Sequence, residues 1–167
     1  MTAATGTPSY DEERLRAAIG PRADYYLRRW REMDSGGKSI SWNWAACFLN
    51  LYWFLFRKMW LAAAAFILAN IVVSMVPAVI PVPNKYVIVM LIGLTFITGS
   101  YGNLLYRKQI EKLVAGPASI EQLRSRGGTS PIALGIALAL TVAAAALVVV
   151  QAARQVQAQR AAGLRSP

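Results

Sequence analysis

The sequence predicts an all-α integral membrane protein: an antiparallel two-span helical hairpin plus a third, Ala-rich span, preceded by amphipathic cytoplasmic and interfacial helices. Residues 59–84, 86–106 and 132–153 contain no charged side chain. About 20 residues at 1.5 Å rise cross a hydrocarbon core of ~30 Å. The chain is 56% hydrophobic, and its charges are confined to 1–38, 57–58, 85, 107–126 and 154–165. Its net charge of +10 therefore sits beside apolar runs, where basic residues set topology and meet anionic head groups. That placement points to a lipid bilayer and away from nucleic acid.

The elements follow in chain order. Residues 1–8 read as a disordered tail, and 9–40 as cytoplasmic amphipathic helices. Ser9 and Glu12 form a capping box, with Asp11, Glu12 and Glu13 at the positive helix end. Gly20-Pro21 ends this helix and opens the next, with Pro21 in its first turn. Ala23, Tyr26, Leu27, Trp30 and Met33 then share one face, opposite Arg22, Arg28, Arg29, Arg31 and Glu32. Such a face lies on a membrane surface or packs on the protein's own helices. Asp34-Ser35-Gly36-Gly37 is a turn.

Residues 41–58 hold an aromatic helix, Trp42 to Phe56, with Ser41 as its cap. Two arguments make it interfacial or shallowly re-entrant rather than spanning. A crossing would require a tight reversal at Arg57-Lys58 without an adjacent Gly, Pro or Asn. Charge counting agrees: three spans with the N-terminus cytoplasmic place 14 of the 18 Lys and Arg inside, whereas a fourth span places 11 there.

The hairpin occupies 59–106. Span one starts at Met59 and is broken by Pro77, Pro81 and Pro83; span two ends at Tyr106. Asn70 fits an interhelical hydrogen bond, as do Thr95, Thr98, Ser100 and Asn103 unless they bond their own backbone. Ala62, Ala65, Ala69, Gly93, Gly99 and Gly102 allow close packing within the hairpin or between copies. The cytoplasmic loop 107–130 holds a short helix from Ala118 to Arg126. Ser130-Pro131 opens the third span, 131–153, and the tail 154–167 continues outward.

No ionisable group lies inside the spans, which argues against a proton relay or coupled transporter. No Ser/His/Asp set, carboxylate pair, phosphate loop or zinc spacing occurs. The chain has one cysteine, Cys47, and no histidine. The expectation is therefore no catalytic residue, no metal and no cofactor. Cys47 reads as a small buried hydrophobe, and Asp24 and Glu32 as partners of Arg28 and Arg29.

The run Gly20-Pro21-Arg22-Ala23-Asp24-Tyr25-Tyr26-Leu27, then Trp30, Met33, Ser41-Trp42-Asn43-Trp44-Ala45-Ala46, Phe48, Trp53 and Arg57-Lys58-Met59 resembles the bacterial domain-of-unknown-function family 2628. The resemblance covers about residues 19–110. It implies a small inner-membrane protein with its signature in Tyr25–Met59, and it brings no activity. At Asn50-Leu51 the chain departs from the Gly-Pro typical of relatives, so no sharp break in the 42–56 helix is expected.

The expected role is a non-enzymatic interaction or accessory subunit, docking a protein partner or lipid at a cytoplasmic aromatic–basic face. That face comprises Tyr26, Trp30, Trp42, Asn43, Trp44, Trp53, Arg57 and Lys58. Anchoring by an aromatic belt and snorkelling cations uses the same residues, with Arg57 and Lys58 near lipid phosphate. The alternative is a transport or channel component acting as a homo-oligomer.

Overall fold

A computed structural model describes residues 10–37 and 40–163. Among them there are seven helices and no strand: α1 (Tyr10–Ile19), α2 (Ala23–Ser35), α3 (Trp44–Phe56), α4 (Trp60–Val79), α5 (Asn84–Ala115), α6 (Ile120–Arg126) and α7 (Pro131–Gly163). α4, α5 and the apolar run of α7 are long and apolar enough to cross a membrane. The chain divides into two compact units, residues 1–130 and 131–167. The expected tail 1–8 and the Ser9 cap lie outside the described residues.

In the first unit α5 is the common support: α1, α3 and α4 pack on it, and α1 also packs on α2 and α6. The apolar face of α2 is closed against the protein, because Ala23, Tyr26, Leu27, Trp30 and Met33 are all buried. Of the two readings of that amphipathic face, packing on the protein's own helices is the one realised. Pro21 lies in the turn before α2, whose N-cap is Arg22. The acidic partners also differ from expectation: Asp24 pairs with Arg16 at 2.6 Å, while Glu32 does pair with Arg29 at 3.0 Å.

α5 passes straight through the expected span end at Tyr106 and stays helical to Ala115. Its charges stabilise the helix rather than ending it. Arg107 bonds Glu111 one turn on at 2.6 Å, and also holds Asp34 of α2 at 2.6 Å. The hydrogen bond from Arg107 lowers the Asp34 pKa. Beyond α5, buried Arg14 of α1 donates to the carbonyls of Val114, Gly116 and Ala118 at 2.8–2.9 Å. A cation there satisfies carbonyls that a helix end leaves without partners. α6 has a true capping box, Ser119 with Gln122.

Pro77 does not end α4, which runs on to Val79 before Ile80 turns extended. Asn70 bonds within its own helix, Nδ2 to the Phe66 carbonyl at 2.8 Å, and not across helices. Thr95 and Thr98 likewise bond carbonyls of their own helix, those of Ile92 and Leu94. In the second unit, α7 begins at Pro131 and continues past residue 153 to Gly163.

Candidate functional site

The site is built where α3 lies on α5. Its geometry starts from two glycines, since a Cβ on Gly102 would sit 2.7 Å from the Cβ of Ala46, and one on Gly99 would sit 2.8 Å from that of Cys47. Real Cβ atoms do not approach so closely, so these glycines serve the α3–α5 contact rather than the α4–α5 hairpin. Cys47 is buried in that seam.

A polar lock fixes the register. Asn43 is the N-cap of α3, its Oδ1 accepting from the Ala46 N–H at 2.9 Å. The cap is thus Asn43, not Ser41. The Nδ2 of Asn43 donates to Oδ1 of Asn103 at 2.8 Å, and Nδ2 of Asn103 donates to Ser41 Oγ at 2.8 Å. Asn103 is fully buried. Replacing Asn103 with leucine leaves the Asn43 amide without its acceptor. It is expected to destabilise the first unit by about 1–2 kcal/mol, read as a lower denaturation midpoint of the full chain in detergent.

Within α3 the backbone breaks at Asn50, with φ 24° and ψ −97°. The expectation of no sharp break fails here. That conformation lies outside the left-handed region asparagine tolerates, and Nδ2 of Asn50 bonds the Cys47 carbonyl at 2.8 Å. α3 then ends in a tight turn. Lys58 N–H bonds the Leu55 carbonyl at 3.1 Å, Met59 N–H bonds the Phe54 carbonyl at 2.8 Å, and Lys58 takes φ 56°. This is a Schellman closure with lysine where glycine is usual. The premise that no tight turn forms at Arg57-Lys58 is therefore wrong. Length still argues against a crossing, because 13 residues make a helix of about 20 Å.

Arg57 lies inside an aromatic box and is 4% exposed. Its guanidinium carbon sits 4.6 Å from the centre of the Tyr26 ring, 5.1 Å from that of Tyr106 and 5.8 Å from that of Phe56. Nη1 approaches the Tyr106 hydroxyl at 3.4 Å, while Nε has no hydrogen-bond partner among the described residues. Tyr26 meets Tyr106 edge-on at 4.8 Å, and Trp30 and Trp53 close the cluster at 6.0 and 6.1 Å from Tyr106. Burial raises the Tyr26 pKa, opposed by the nearby Arg57 charge.

Of the eight sequence-derived contact residues, Tyr26, Trp30, Asn43, Trp53 and Arg57 are buried, so a ligand meets them only if the core opens. Trp42 is partly buried and packs 5.8 Å from Phe96. Lys58 Nζ donates to the Ser125 carbonyl at 2.7 Å. Trp44 alone of the eight presents most of its surface, at 64% exposed; it stacks at 5.6 Å and 11° on Phe48, which is 73% exposed. Nothing local in the sequence marks Tyr106 or Arg14 as organising residues. Asn103, a polar residue in an apolar run, and Asn43 both stand out in the sequence, but nothing local links them as a pair.

Comparison with known proteins adds one match. A family model described as "Protein of unknown function (DUF2628)" covers residues 11–112. That range takes in α1, α2, α3, α4 and nearly all of α5, hence the whole aromatic box and the Asn43–Asn103 lock. No curated protein and no solved structure matches the chain.

Proposed function

The chain belongs to the DUF2628 family, and on that premise we propose that it is a non-enzymatic, multi-pass protein of the bacterial inner membrane that works as an interaction or accessory subunit. Its N-terminus is cytoplasmic in this reading, and α4, α5 and α7 are its spans. The distribution of Lys and Arg supports that orientation. α5, with 32 residues, is about 48 Å long and exceeds a ~30 Å core. Its last turns then project into the cytoplasm and carry α1, α2 and α6. α3 lies along the inner end of α5 at interfacial depth, where tryptophan rings are favoured.

The observation that carries the docking role is the Trp44–Phe48 stack. Tyr26, Trp30 and Trp53 are buried against Tyr106 of α5, whereas these two stand outward together. Exposed stacked aromatics beside a rigid support are the kind of anchor that contributes most to protein interfaces. A photo-crosslinking residue replacing Phe48 in living cells is expected to give one dominant protein adduct, reduced several-fold by Trp44→Ala. Adducts with lipid alone, at unchanged insertion, would overturn docking in favour of simple anchoring.

A further inference from the structure

Between α4 and α5 runs an apolar groove of about 630 Å³, lined by residues including Phe54, Ala65, Phe66, Leu94, Ile97 and Leu105. One end carries Lys108 and Lys112. These lysines are one helical turn apart on α5 and exposed, and neither makes an ion pair among the described residues. The carboxylate between them in sequence, Glu111, is taken by Arg107. We propose that this groove holds one anionic phospholipid of the cytoplasmic leaflet, with an acyl chain along the apolar walls and its phosphate between Lys108 and Lys112. The inference rests on the membrane reading above and adds a ligand class and a site to it.

Dimensions and charge select this occupant. From Leu94 to Lys108 is about 21 Å along α5 at 1.5 Å per residue. One leaflet supplies ~15 Å of hydrocarbon, half of a ~30 Å core, followed by the head-group layer. Leu94 lies near the centre of the uncharged run 86–106 and Lys108 just beyond its end, so the groove changes from apolar to cationic where a lipid changes from chain to phosphate. The occupant must be apolar along its length and negative at one end. α7 does not meet that description, since residues 131–163 contain no Asp or Glu. A second copy fares no better: its acidic residues are confined to 11–34, 111 and 121, and Glu111 is already paired. Two lysines bind phosphate as point charges, and the cytoplasmic leaflet is the anionic one.

The test uses the full-length chain in vesicles of equal parts phosphatidylglycerol and phosphatidylcholine, with a photoreactive acyl chain on one lipid at a time. Phosphatidylglycerol is expected to label the α4 and α5 walls of the groove in preference to phosphatidylcholine. Each lysine near an anionic head group contributes roughly a fivefold factor. Lys108→Gln with Lys112→Gln is therefore expected to lower phosphatidylglycerol labelling by about tenfold or more and leave phosphatidylcholine labelling unchanged. Ala65→Phe, which fills the groove, is expected to remove both. Labelling that ignores the head group, or survives the double lysine replacement, overturns the proposal. So does a groove free of adducts in which Ala65→Cys and Ala139→Cys join as a disulfide, which would give the site to α7. A chain that fails to float with the vesicles defeats the membrane reading as well; one that floats but labels without preference defeats the lipid site alone.

Discussion

Arg57→Ala is expected to destabilise the first unit by about 3–5 kcal/mol, whereas Arg57→Met stays within about 1 kcal/mol of the parent chain. The difference separates what the side chain fills from what its charge contributes. Removing a guanidinium from water costs several kcal/mol after relaxation. Tyr26, Tyr106 and Phe56 return up to about 2 kcal/mol per desolvated cation–π contact, and no carboxylate pairs with Arg57 among the described residues. These two effects nearly cancel. What alanine loses is volume at the centre of the cluster that joins α2, α3 and α5, leaving a cavity under Tyr106. Methionine fills that volume without charge and makes favourable sulfur–ring contacts. Lysine is not conservative here, because its ammonium is more strongly hydrated and lacks the planar face that lies over the rings. Denaturation of the full chain in detergent, followed through Trp30 and Trp53 fluorescence, measures the series. A methionine variant as damaged as the alanine variant would show that the cation itself holds the box together.

Gly102→Leu is the second large effect, at about 3 kcal/mol, because even the first carbon of a new side chain meets Ala46 at 2.7 Å. The Trp53 indole lies 3.6–3.7 Å from the same point and crowds the incoming side chain further. α3 must move off α5, which strains the Asn43–Asn103 lock. The milder Gly102→Ala, at about 1–3 kcal/mol, allows a cycle. Ala46→Gly removes the opposing carbon and costs about 1 kcal/mol on its own through helix propensity. The double variant is expected to be more stable than the sum of the two single effects, with a coupling of about 1 kcal/mol or more. Additive effects would mean that the two backbones do not meet at this point.

The parts legible in the sequence are those governed by local pattern. Uncharged runs gave the three long helices. The spacing of Ala23, Tyr26, Leu27, Trp30 and Met33 gave the buried face of α2, although its cover, Tyr106, is some 80 residues away and no local signal links the two. Where the reading failed, tertiary contacts decided. Arg57 beside an apolar run has the pattern of a flanking cation, and only the convergence of α2 and α5 makes it interior. Lys58 adopts a conformation that sequence rules assign to glycine; its turn is held by Lys58 and Met59 backbone hydrogen bonds to Leu55 and Phe54. Asn50 breaks α3 without a glycine, its amide bonding the Cys47 carbonyl. The charges after Tyr106 suggested a loop, yet they pair at helical spacing and with Asp34, and so extend α5. The Ala and Gly positions of the hairpin promised close packing within it or between copies; two of the glycines instead meet α3, and Ala65 faces the groove.

The sidedness of the two ends of the α4–α5 hairpin is decisive. Lys85→Cys and Lys112→Cys are introduced singly into full-length chains carrying Cys47→Ala, and intact cells are treated with a membrane-impermeant maleimide. Labelling is expected at position 85 in intact cells, and at position 112 only after permeabilisation. Labelling of both from the same side would contradict a hairpin that crosses the bilayer with its helical head in the cytoplasm.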